Sequence, residues 1–187
     1  MTQTVTATFR ERLAALDVTI RTGEPADCAR LVDEAAGEPA VGVPLADPDL
    51  DVPDRVETDP TAADLRAAHT GVTAASLGVA DYGSVAIESD PAGTEPVSLF
   101  VDRHVVVLQE SDIVPGMADA FEWLGPRARD DDVDVVFATG PSATADMGGL
   151  VKGAHGPKEV HVVLIAEDGA SDDGTPNGDG DAEEGSR

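Results

Sequence analysis

Apolar positions near the start of the chain recur at helical spacing. Val5, Phe9, Leu13 and Leu16 form one stripe, and Thr2 or Thr4 can cap its start, so residues 2–16 are predicted to be helical. Val18-Thr19-Ile20 reads as a short strand. Pro25 suits the first turn of a helix running to about Ala36, with Gly37 as its stop. Ala40 to Val43 reads as a strand, and the Pro- and Asp-rich stretch from Leu45 to Thr58 as a loop. Asp59-Pro60-Thr61 signals the start of a short helix to His69.

The pattern then changes. The stretch from Gly71-Val72-Thr73 leads through Gly78 and Gly83 into an alternating segment, Ser84 to Ile87, that should be a strand. Asp90 to Glu95 should turn. Arg103-His104 heads the apolar run Val105 to Leu108, as expected of a strand buried on both faces. Pro115 to Leu124 should be a helix with Met117, Ala120, Phe121 and Leu124 on one face. Val133 to Ala138 and Val160 to Ile165 read as two more buried strands. Strands alternating with helices predict an α/β fold, mostly a parallel sheet with helices on both faces. Ligands in such sheets sit outside the carboxyl ends of the strands. Residues 1–166 are read as one domain. Residues 167–187 hold eight acids, one arginine and no apolar face, so they are predicted to be a disordered acidic tail.

Charge narrows the function. Acidic residues number 37 and basic residues 12, for a net charge of -25. No basic stripe exists to neutralise phosphates, so nucleic acid is not an expected partner, and the same sign opposes an anionic membrane surface. The acids are spread over the whole chain and lysine is nearly absent. That pattern fits a halophilic protein, whose self-repulsion is screened over roughly 3 Å at molar salt. It is expected to unfold as KCl is diluted; full stability in dilute buffer would contradict this reading. No apolar run reaches membrane-spanning length. Arg10, Glu11 and Arg12 interrupt the N-terminal apolar periodicity, which is unlike a signal peptide, so a cytoplasmic location is expected. The single cysteine, Cys28, rules out an intramolecular disulfide and a cluster held by cysteines of this chain alone.

Three loops carry candidate chemistry. Gly140-Pro141-Ser142-Ala143-Thr144-Ala145-Asp146 offers close backbone approach at Gly140, hydroxyls at Ser142 and Thr144 and an acceptor at Asp146. It can hold a polar or anionic ligand; it can equally be a βα turn whose Ser or Thr caps the next helix. Lys152-Gly153-Ala154-His155-Gly156-Pro157-Lys158 holds both lysines of the chain beside an imidazole. His155, Gly156 and Lys158 suit a carboxylate or phosphate, or form a surface turn. Asp81 and Ser84, in Gly78-Val79-Ala80-Asp81-Tyr82-Gly83-Ser84, can line the same pocket or close a tight turn. His104 and His161 head apolar strands and read as structural histidines. No histidine pair has metal-ligand spacing, and no metal site is expected.

These segments, in order and with the intervening Ile113-Val114-Pro115, resemble the LUD family and within it the lactate-utilisation protein C group. The most specific part pairs the string Gly140-Pro141-Ser142…Thr144-Ala145-Asp146 with His155-Gly156-Pro157-Lys158…His161. Tyr82 and Gly148 depart from the family pattern, which usually has Thr and a carboxylate there. The resemblance covers residues 70–166. It implies a fold similar to the NagB, ribose-5-phosphate isomerase and CoA-transferase class. It also implies a part in oxidising L-lactate to pyruvate beside Cys-rich and iron–sulfur partner subunits, this chain binding no cofactor itself. An accessory, small-anion-binding subunit that can form a homo-oligomer is expected; an independent enzyme of the isomerase or CoA-transferase type is the alternative. A CoA-transferase would need a carboxylate nucleophile, for which Glu88 and Glu110 are the nearest glutamates to the strands.

Overall fold

The computed structural model describes residues 4–130, 133–146, 149–153 and 155–166. The segment 167–187, expected to be a disordered tail, lies outside the described residues.

Helix α1 (Val5–Ala15) is capped by Thr4, whose hydroxyl accepts from the Ala7 amide at 3.2 Å. Strand β1 (Thr19–Gly23) leads through a 3-10 turn at Pro25–Asp27 into α2 (Cys28–Ala35). Strand β2 (Ala40–Gly42), α3 (Ala62–Ala67) and β3 (Thr70–Ala74) follow. Then come β4 (Leu77–Val79), β5 (Ser84–Glu88), α4 (Thr94–Leu99), β6 (Arg103–Gln109) and β7 (Ile113–Val114). The last described elements are α5 (Met117–Asp130), β8 (Val135–Thr139), β9 (Ala143–Asp146), β10 (Gly149–Lys152) and β11 (Glu159–Ile165).

Five strands form a parallel sheet in the order β1-β11-β6-β3-β2. Its central strands are apolar on both faces, as a doubly covered parallel sheet requires. Val105, Val107, Val163 and Ile165 pack against Cys28, Leu31 and Val32 of α2. The alternate residues Val106, Leu108, Val162 and Leu164 face the other way, onto Phe9 and Leu13 of α1 and Val85 and Ile87 of β5. That second face is therefore covered by a helix and by a second sheet, in the order β7-β4-β5-β8.

The second sheet corrects three expectations. Strand β8 is half-buried at an edge and antiparallel to β5, not a buried member of the parallel sheet. A β9–β10 hairpin, not a helix, follows β8, so Ser142 and Thr144 cap no βα turn. Phe121 lies 59% exposed, and α5 turns Met117, Ala120 and Trp123 to the core. That helix runs through Gly125-Pro126, with Arg127 stacked 4.3 Å above the Trp123 ring and bonded to its carbonyl.

Helix α4 replaces part of the expected turn at 90–95. The Asp90 carboxylate accepts from the Thr94 amide at 3.0 Å and the Thr94 hydroxyl at 2.7 Å, and Pro96 sits in the first turn, where no amide partner is needed. With six residues, it is too short to show a periodicity.

Candidate functional site

Two of the three candidate loops meet. Strand β8 ends at Thr139, and Gly140 takes φ +64°, a left-handed turn that glycine adopts without steric cost. The turn is confined by α1: a Cβ at Gly140 would lie 3.1 Å from Leu16 Cβ. The chain is then tied to the segment before β11. The Ser142 amide donates to the Pro157 carbonyl and the Gly153 amide to the Ser142 carbonyl, each at 2.8 Å. Gly156 lies against Ser142, with room for a Cβ only 3.2 Å from the serine Cβ.

Below these loops is a cleft of about 360 Å³, a size typical of small-molecule sites. Thr139, Gly140, Ser142, His155 and Gly156 line it from the loops, Ser98 and Leu99 from α4, and His104 from the start of β6. An adjoining hollow of about 410 Å³ shares His155, Gly156 and Leu99 and extends to Phe100 and Asp102. The cleft faces the amino ends of β6 and β11, contrary to the expectation of a site at the carboxyl ends. The cause is topological: β8 belongs to the second sheet, so its carboxyl end is free to arrive beside the starts of β6 and β11.

Ser84 does not itself line the cleft but supports its wall. Its hydroxyl and that of Thr139 are 2.6 Å apart, across the β5–β8 pair. Asp81 lies elsewhere. Its amide donates to the Pro115 carbonyl, and its carboxylate faces Gly116, ahead of α5. The shared pocket proposed for Asp81 is therefore not formed. Tyr82, beside it, is 55% exposed. Thr144 and Asp146 are placed by their backbone on β9, with their side chains outside the described part of the structure, as is Gly148.

Lys158 also departs from its assigned place. Its ammonium reaches Asp102 at 2.7 Å, and it is not among the residues lining the cleft. The pairing holds the Asp102 carboxyl below the usual range, chiefly through that hydrogen bond. Lys158 thus spends its charge fastening the loop to the β6 side, where its amide also donates to the Asp102 carbonyl at 2.7 Å.

His104, read from sequence as structural, has both characters. Its Nε2 lies 2.8 Å from the Thr73 hydroxyl, and the ring is buried while lining the cleft. Burial pushes its pKa down to about 4, so it is neutral at ordinary pH. His161 is half-buried and outside the cleft, with Nδ1 3.3 Å from the Arg21 guanidinium; desolvation, then Arg103 and Arg21, lowers its pKa. Thr139, Ser98 and His104 were not singled out as site residues, because strand and helix positions carry no loop signature in a sequence. Among the described residues no group of three His, Cys, Asp or Glu side chains is placed to hold a metal. No described helix is long and apolar enough to cross a membrane.

A mixed α/β domain with two glycine-containing loops joined beside a cleft at the amino ends of β6 and β11 defines the class, and comparison with known proteins supplies the family. The model of the LUD domain matches residues 15–165, so the chain belongs to the LUD domain family. It is similar to lactate utilization protein C of Bacillus licheniformis, 31% identical over 104 residues, covering 54% of this chain and 43% of that protein. The protein of the same name from Deinococcus radiodurans is 28% identical over 105 residues, covering 55% of this chain and 49% of that one. The chain thus spans less than half the length of these curated relatives in the matched region. In fold it is similar to the crystal structure of a DUF162 family protein from Deinococcus radiodurans, with a TM-score of 0.67, 20% identity, and coverage of 86% of this chain and 96% of that chain.

Proposed function

We propose that the chain serves L-lactate utilisation, the oxidation of lactate to pyruvate, as an accessory subunit that binds a small carboxylate in the cleft between residues 139–142 and 155–157. Iron–sulfur clusters and the electron-transfer chemistry belong, in this reading, to Cys-rich partner subunits. The names of the relatives support the lactate connection.

The observation that carries the ligand assignment is the cleft's composition. Acidic residues number 37 in the chain, yet no carboxylate is among the residues lining this cleft, which instead include two histidines, Ser142, and Ser98 and Thr139, whose hydroxyls are engaged by the Glu95 carbonyl and by Ser84. A carboxylate 4 Å from a bound anion would cost about 1 kcal/mol in water and ~4 kcal/mol at an effective dielectric constant of 20, so its exclusion is what anion binding needs. His155 and Ser142 are the donors assigned to the ligand; neutral His104 closes the inner wall. Lys158 acts by tying down the loop.

The alternative, an independent transferase, is less well served. Glu88 lies at the far end of β5 from Ser84 and the cleft, and Glu110 follows the carboxyl end of β6, so neither lines it.

Calorimetric titration in molar KCl with L-lactate, pyruvate and adenine nucleotides tests the reading. A carboxylate is expected to bind saturably, about tenfold more weakly to His155→Ala, the worth of one hydrogen bond to a charged group. Lys158→Gln should bind nearly as the parent does. Absence of heat with every compound, with and without partner subunits, would overturn it. So would loss of binding in Lys158→Gln with His155→Ala binding as the parent does.

A further inference from the structure

A second cleft, of about 480 Å³, lies at the opposite end of the parallel sheet and takes in none of the motif loops. It opens between the first turns of α1 and the carboxyl ends of the sheet, where open α/β sheets commonly receive ligands. Thr4, Thr6 and Arg10 line it from the helix side, Thr22 from β1, Glu110 from the end of β6 and Ala166 from the end of β11.

Its charges set it apart. Arg21, Arg30, Arg55 and Arg103 each pair with a carboxylate, while Arg12, Arg66, Arg127 and Arg129 pair with none among the described residues, so it is the presence of both an arginine and a carboxylate in one cleft that distinguishes this one. Arg10 pairs with no described residue, and neither does Glu110, although both line the same cleft. One guanidinium and one carboxylate, facing a common space without meeting, with the hydroxyls of Thr6 and Thr22 beside them, match a ligand that carries both signs.

We infer that this carboxyl-end cleft is a binding site for a small zwitterion of the α-amino acid class. Arg10 takes the ligand carboxylate, in the forked geometry that favours arginine for that group. Glu110 takes the ammonium, and the threonine hydroxyls serve the remaining lone pairs and protons. The volume leaves room beyond these two charged groups for a side chain. A simple anion is disfavoured here because Glu110 would repel it, which distinguishes this cleft from the carboxylate-free one at the other end of the sheet.

The test is calorimetry on the full chain in molar KCl, with L-alanine as the zwitterion, L-lactate as its hydroxyl counterpart and propionate as the plain carboxylate. L-Alanine is expected to bind best, with propionate about tenfold weaker or worse. Arg10→Ala and Glu110→Gln should each weaken L-alanine by about tenfold, with unchanged circular dichroism because Arg10 is exposed and Glu110 only half-buried. His155→Ala should leave L-alanine binding intact. No L-alanine binding to the parent chain, binding of propionate to His155→Ala as tight as that of L-alanine, or insensitivity to either substitution would overturn the inference. Binding of L-alanine that is lost in His155→Ala and kept in Arg10→Ala would also overturn it. The lactate response to His155→Ala is read separately, so failure here and failure of the first site give different results.

Discussion

Gly71→Ala is expected to destabilise the protein by about 3 kcal/mol or more, at the upper end of what overpacking costs. Gly71 sits in β3 between Val41 of β2 and His104 of β6. A Cβ there would lie 2.2 Å from the Val97 carbonyl oxygen, with methyl groups of Val97 and Val101 at 3.1 Å. The first of these neighbours is helix backbone and cannot rotate away. Helix α4 must lift from the sheet, although Asp90 anchors its start and Val97 and Val101 are buried. Since α4 carries Ser98 and Leu99 into the cleft, the same change should weaken carboxylate binding in whatever fraction still folds. Chemical unfolding in molar KCl measures the cost. Gly125→Ala is the control: beyond its chain neighbours its Cβ would meet only an Arg129 nitrogen at 3.6 Å, and because the helical gain of alanine is offset by the crowding of a residue before Pro126, its stability should stay within about 1 kcal/mol of the parent. Equal stability of the two variants would contradict the packing described at α4.

The second large effect is on pH dependence. His104 ionises near its ordinary pKa of 6.5 in the unfolded chain, and only near 4 in the fold, where burial opposes the charge. Between those values the unfolded state binds the extra proton. Stability contributed by the neutral ring is therefore complete above about pH 6.5 and declines as pH falls, levelling off below about pH 4. The depression corresponds to ~3 kcal/mol at most. Acidification also relieves repulsion among the carboxylates, so the quantity to measure is the difference between the parent and His104→Gln. That difference should change by up to ~3 kcal/mol across the window. Parallel pH profiles would show that His104 is not buried as described.

How far the sequence disclosed this arrangement depended on the scale of the signal. The central strands were legible because burial on both faces makes a run such as Val105 to Leu108 unbroken, and α1 because Phe9 and Leu13 repeat at the helical period. Helix α4 was hidden because its fold-level role rests on a cap by Asp90 and on the absence of a side chain at Gly71, neither of which is a periodicity. Phe121 misled because its phase on α5 places it with Ala120 and Leu124 by spacing, while the packed face is set by Trp123. At the cleft, the two glycine-rich loops were identified from their residue types, and their union follows from two backbone hydrogen bonds at Ser142, which carry no side-chain signature. Asp81 and Lys158 looked equally apt because charge alone says nothing of direction. One turns toward Gly116 and the other to Asp102. His104 shows the reverse case, a strand residue that contributes to a site only because β8 crosses to its end of the sheet.

The four histidines offer an internal comparison for carboxylate binding in the cleft, since His104 and His155 line it and His69 and His161 do not. Titrating pyruvate or L-lactate into the full chain in molar KCl, while following the imidazole nitrogen and carbon resonances, reads all four at once. A saturable shift of His155 and His104, with His69 and His161 unmoved, is the result predicted. No saturable shift at any ring, or the same shift at all four, would contradict it.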